Sequence, residues 1–78
     1  MKMFEKFIEE NIERDNKNFE LSDDLYKRYL VYCITYNLKP ISRRSFGFRL
    51  TKERIGVWHK SKGKYARWGV KLLPCKYY

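Results

Sequence analysis

The sequence predicts an α+β fold, three short amphipathic helices followed by a β-hairpin of two or three strands. Apolar residues recur at helical spacing as far as Glu53, and after Ile55-Gly56 the period changes from 3.6 to 2. Charge changes along the chain as well. Residues 39–78 carry twelve Lys or Arg against the single acid Glu53, net +11, whereas residues 1–38 carry six basic and eight acidic side chains, net −2. The positive field is therefore localised in the half that holds the last helix and the hairpin. Seventy-eight residues allow one domain with one small core, and five Phe, seven Tyr and two Trp supply large pieces to fill it.

The first helix is expected over about 2–14. Phe4, Phe7, Ile8 and Ile12 share a face, with Glu5, Lys6, Glu9, Glu10 and Glu13 on the other side. Asp15 to Asn18 ends it, because Asp and Asn side chains favour turns. Phe19-Glu20-Leu21 then forms a connector or a brief strand. Ser22 is the expected N-cap of a second helix over 23–36, with Asp23 and Asp24 complementing its dipole. Its stripe of Leu25, Tyr26, Tyr29, Leu30, Cys33 and Ile34 is wide, so it should be the central packing helix. Asn37 can take the left-handed C-cap conformation and Pro40 cannot continue a helix, which makes 37–41 a tight connection.

Ser42 caps a third helix over 43–53. Phe46 and Leu50 point inward, and Arg44, Ser45, Phe48, Thr51 and Lys52 point outward. Two helices joined by a short turn, the second short and basic on its outer side, have the sequence form of a helix-turn-helix. The hairpin follows, with strands expected at about 55–60 and 65–73 and a turn in Lys60 to Lys64, where Gly63 can take a positive φ. Ala66, Trp68, Val70 and Leu72 alternate with Arg67, Gly69 and Lys71 along the second strand, Trp68 is assigned to the core, and Pro74 closes the strand. A cationic hairpin placed after such a helix is a wing, so the whole chain, residues 1–78, reads as a small winged helix-turn-helix.

Several function classes are excluded. No run approaches the eighteen or so apolar residues of a membrane span, and Lys2, Glu5 and Lys6 interrupt the first apolar stretch. Cys33 and Cys75 lack metal-ligand spacing and are too few for a disulfide framework, so they read as reduced thiols of a cytoplasmic protein without metal or cofactor. His59, the sole histidine, has no nucleophile or carboxylate at relay spacing, and no catalytic residue is expected. A one-sided positive field does favour a polyanion. The expected contacts are Arg43, Arg44, Ser45, Phe48, Arg49, Thr51 and Lys52 on the third helix and Lys60, Lys62, Lys64 and Arg67 on the hairpin. Phe48 either touches a thymine methyl or unpaired base, or belongs to the core, and Trp58 carries the same ambiguity. Duplex or single-stranded DNA is the expected partner; the alternatives are docking to acidic protein within a replication assembly, or a free-standing transcription regulator, and the isolated chain is expected to be monomeric.

The run from Leu21 to Leu72 also resembles the C-terminal winged-helix domain of the primase-helicases of phages, plasmids and poxviruses, which carry a superfamily 3 helicase. The resemblance lies in Leu25-Tyr26, Tyr29 and Tyr32-Cys33 in one helix and in Ser42, Phe46-Gly47 and Leu50 in the next. It continues in the hairpin with Gly56-Val57, the basic run Lys60 to Lys64, Trp68-Gly69 and Val70. It implies a DNA-binding module serving replication of a mobile element, with helicase and primase portions of a parent protein as neighbours, or else a free-standing relative. The chain has no GxxxxGK[ST] loop and no paired acidic motif, so priming and ATP hydrolysis are not carried over with the resemblance.

Overall fold

The computed structural model describes residues 3–77. Its elements run α1 (Met3–Asn11), β1 (Ile12–Leu21), α2 (Ser22–Thr35), α3 (Arg43–Lys52), β2 (Val57–Ser61) and β3 (Lys64–Leu72). The architecture is α+β, three helices with one antiparallel sheet in the order β1-β3-β2. Lys2, the first residue of the expected first helix, lies outside the described residues.

The main departure from expectation is β1. The first helix stops at Asn11, and Ile12–Leu21 is a strand ten residues long. Ile12, Glu13 and Arg14 pair with Leu72, Lys71 and Val70; Phe19, Glu20 and Leu21 pair with Trp68, Arg67 and Ala66. Between these ladders β1 contains extra residues, so it bulges where Asp15 to Asn18 was expected to turn. The turn chemistry is present locally, with Asp15 Oδ1 accepting from the Lys17 amide at 3.0 Å. Asn18 Nδ2 stitches the bulge back by donating to Val70 O at 2.8 Å.

Packing centres on Phe7, which is fully buried. It meets Tyr29 and Tyr32 edge-on, each at 5.3 Å, and Phe46 edge-on at 5.9 Å, arrangements favoured by the ring quadrupole. Leu25, Cys33, Leu50, Ile55 and Val70 complete the core. Cys33 and Cys75 are free, and burial pushes the Cys33 thiol pKa up, away from the reactive thiolate form. Asn11, Tyr77 and Glu10 tie the last described residue to α1. Asn11 Nδ2 donates to Tyr77 Oη at 2.7 Å, and Tyr77 Oη donates to Glu10 Oε1 at 2.9 Å. Burial holds the Tyr77 hydroxyl pKa up at about 12, so it remains a donor throughout the neutral range.

Helix ends follow local sequence. Leu21 occupies the N-cap of α2 without a side-chain cap bond, so Ser22 is its first residue and not the expected cap. At the other end Asn37 has φ 55°, its amide bonds Ile34 O, and the Leu38 amide bonds Cys33 O at 2.7 Å. This is a Schellman motif, with Asn in the left-handed position it tolerates better than most residues. The 37–41 connection is then clamped by two rings of α2. Tyr26 Oη donates to Ile41 O at 2.8 Å, and the Ile41 amide donates to Tyr29 Oη at 3.2 Å. These bonds fix where α3 begins.

Candidate functional site

α3 is built to present its outer side. Ser42 Oγ accepts from the Ser45 amide at 3.2 Å, the expected cap and a contribution of about 1 kcal/mol. Phe46 and Leu50 are buried. The helix closes in a second Schellman motif, with Arg54 at φ 60° and the Ile55 amide bonded to Leu50 O at 2.9 Å, while Leu50 and Ile55 both enter the core. Arg43, Arg44, Ser45, Phe48, Arg49, Thr51 and Lys52 are left exposed. Phe48, at 65%, takes the outward of its two readings.

The β2–β3 hairpin turns at Lys62 and Gly63, with φ 51° and 79°. Two consecutive positive φ values match the right-handed twist of the strands, so the turn is tight and the register is fixed. Trp58 thus pairs with Arg67 and Lys60 with Tyr65. These four side chains share the sheet face that looks toward α3. Trp58 and Tyr65 stack at 5.4 Å with 28° between planes, and Lys60 Nζ lies 5.3 Å from the Tyr65 centroid.

An open groove of about 980 Å³ runs between α3 and this face. Of the expected contacts it brings together Arg43, Arg44, Phe48, Thr51, Lys64 and Arg67; Ser45, Arg49, Lys52, Lys60 and Lys62 are not in its lining. Arg43 pairs with Asp23 at the start of α2, and its guanidinium lies 5.0 Å from the Tyr26 ring. The ion pair is exposed, worth about 0–1 kcal/mol, so its main effect is to neutralise Asp23 at the groove rim. Arg44 lies 5.7 Å from the Phe48 ring, and Arg49 is turned toward Phe4 of α1 at 4.8 Å.

Arg67 requires a correction. Expected among the exposed hairpin cations, it is only 3% exposed and bonds to the protein itself. Nη2 donates to Gly47 O at 2.7 Å and to Thr51 Oγ1 at 2.9 Å, and Nη1 donates to Ile55 O at 3.2 Å. The guanidinium therefore fastens α3 to β3 from beneath the groove. Desolvation lowers its pKa, but an arginine stays charged at any physiological pH. All three acceptors are neutral, so its positive charge is offset by none of them and adds to the field above the groove floor.

Trp68 is a second correction, and it shares its cause with the first. Assigned to the core with Phe46 and Leu50, it is 44% exposed on the other sheet face, stacked on Phe19 at 4.8 Å. Gly69 has φ 84°, which breaks the alternation of β3. Arg67 and Val70 point to the interior on either side of the break, while Trp68 points out. Tyr65 and Gly47 were not singled out as site residues by the sequence. A two-residue turn at Lys62-Gly63 would have been the signal for Tyr65, since it sets Tyr65 opposite Lys60 and diagonal to Trp58.

Gly47 lies in the interior of α3 and on the groove wall. A Cβ there would meet only Arg67 Nη2, at 3.9 Å, an ordinary contact. Packing does not demand glycine, and Gly47→Ala is expected to raise stability by about 0.5–1 kcal/mol through helix propensity. Urea unfolding of the two chains checks it. A decrease would mean that the Arg67 bond to Gly47 O does not survive the added methyl.

No helix among the described residues is long and apolar enough to cross a membrane, and among them no group of three or more His, Cys, Asp or Glu is placed to hold a metal ion. Fold and site together define a small α+β domain organised around one cationic, aromatic cleft between a helix and a hairpin. A family model described as poxvirus D5 protein-like matches residues 4–70, and the chain belongs to that family. Membership is consistent with the C-terminal domain of primase-helicase-type replication proteins and points to a viral replication-associated domain. No curated protein and no solved structure matches the chain.

Proposed function

We propose that the chain is a single winged-helix domain, a non-catalytic DNA-binding module of a mobile-element primase-helicase that contacts template or origin DNA. The observation that carries this reading is the convergence of α3 cations and the basic hairpin tip on one groove. Arg43, Arg44 and Lys64 line it. Thr51 lines it as well, Lys60 and Lys62 extend it along the hairpin, and Ser45, Arg49 and Lys52 lie on α3 outside its lining. The element order and the sheet order β1-β3-β2 support the winged-helix assignment, in which α3 is the reading helix and β2–β3 the wing.

Fluorescence anisotropy with labelled duplex and single-stranded oligonucleotides over a salt series tests it. Affinity should fall steeply with salt as counterions are released. Lys60, Lys62 and Lys64 changed together to Glu should weaken binding to all duplexes about equally. The slope of log K against log salt should fall by roughly 2.7 if three phosphate contacts are lost. An unchanged slope would mean that the hairpin tip faces away from DNA. Absence of binding to either oligonucleotide would favour a second reading, docking to protein within a replication assembly. Exposed Phe19, Trp68 and Val57 on the far sheet face give that reading an apolar surface.

A further inference from the structure

The cleft carries more ring surface than a duplex can use. Phe48 is 65% exposed, Trp58 54% and Tyr65 47%, and all three line the same groove. Base pairs stacked in a duplex cover one another's faces and offer a protein only their edges and the thymine methyl. Unpaired bases offer whole faces, which stack on aromatic side chains whatever the sequence. Charge and shape agree with this. Arg44 and Lys64 stand in the lining beside the rings, the buried Arg67 cation lies below, and Gly47 leaves helix backbone bare where its own packing would accept a methyl. About 980 Å³ is at the upper end of the range of roughly 300–1,000 Å³ that holds a compact ligand, so more than one nucleotide fits.

We propose that this cleft binds unpaired bases of single-stranded DNA, stacking them on Phe48 and on the Trp58–Tyr65 pair while Arg44 and Lys64 take the adjoining phosphates. This rests on the DNA-binding reading and assigns its ligand class, a single strand or frayed end and not an intact duplex.

The test uses the full chain with dT20 and a 20-base-pair duplex. Trp68→Phe keeps an aromatic ring against Phe19 on the far face and leaves Trp58 as the one indole, so its fluorescence reports on the cleft alone. dT20 should quench Trp58 to saturation and bind at least about tenfold more tightly than the duplex. Trp58→Ala and Phe48→Ala, both at positions more than half exposed, should each weaken dT20 binding about five- to a hundredfold, the loss that removal of one base–aromatic stack produces. Melting curves verify folding, and whichever variant keeps the parent melting temperature decides. Equal affinity for dT20 and duplex, or saturating dT20 without quenching, overturns this inference and leaves duplex binding standing. Tighter binding of rU20 than of dT20 overturns the assignment to DNA. If neither oligonucleotide binds, the DNA-binding reading falls, and this inference falls with it.

Discussion

Arg67→Leu is expected to destabilise the chain by about 3–5 kcal/mol, a large share of what a domain of this size has. The guanidinium joins three acceptors from three places, Gly47 O in α3, Thr51 Oγ1 one turn later and Ile55 O beyond the helix end. Leucine fills much of the volume but leaves these oxygens facing an apolar side chain, at about 1–3 kcal/mol for each that stays unpaired. Water from the groove can reach some of them, so the full sum is not expected. Urea unfolding should show a lower midpoint with an unchanged slope, and Arg67→Lys should recover only part of the loss, since one ammonium cannot span the fork. A loss below about 1 kcal/mol for Arg67→Leu would show that water replaces the guanidinium, and α3 would then be held to β3 by its apolar face alone.

Gly56→Ala is the second large effect, expected at about 2–5 kcal/mol. Gly56 has φ 72°, and a Cβ there would come within 2.9 Å of both Trp68 O and Val70 Cγ1. The first term is the cost of a left-handed non-glycine residue, about 1–3 kcal/mol, and the second is overpacking of a similar size. Neither neighbour can yield cheaply, because one is β3 backbone and the other belongs to a fully buried valine. Thermal melting should fall by on the order of 10 °C or more. Gly63, at φ 79° but with nothing within 4 Å of an added Cβ, isolates the first term, so Gly63→Ala should cost less than Gly56→Ala. Equal losses at the two sites would mean that the crowding around Gly56 relaxes.

The helices and the hairpin were legible because each depends on neighbours in sequence. Ser42 with Ser45, Asn37 before Pro40, and Gly63 at the hairpin tip all act within a few residues, and they appear where local chemistry predicts them. β1 was not legible beyond Phe19-Glu20-Leu21. Its stretch IERDNKNFEL lacks alternation and has only Ile12 and Phe19 as strong strand formers, seven residues apart, and it is extended because β3 offers a free edge. The first helix was overextended for the same reason. Ile12 continues the helical stripe, yet it is buried as a strand residue opposite Leu72.

Within the site, the outward side of α3 was readable from periodicity, since Phe46 and Leu50 fix the buried side. The hairpin side chains were harder. A period of two assumes unbroken alternation, and the left-handed Gly69 shifts the phase between Trp68 and Val70. That one glycine puts Trp68 outside and accounts for an arginine being under the groove, where composition alone would class it with the surface cations.

The pairing of β1 with β3 has a consequence for how the chain is made. Ile12 is synthesised sixty residues before its partner Leu72, with α2, α3 and the first hairpin strand made in between. Closing so long a loop is entropically costly and makes a sheet of this connectivity a late event in folding, after the local helices have formed. A nascent chain that ends after α3 has Phe7 and Leu50 but lacks Val70 to finish the core, and it lacks Trp58, Lys64 and Tyr65, the far wall of the cleft. Capacity to capture a ligand and completion of the core thus arrive together with the last strand, and an unfinished chain emerging from the ribosome presents its α3 cations without the surface opposite them.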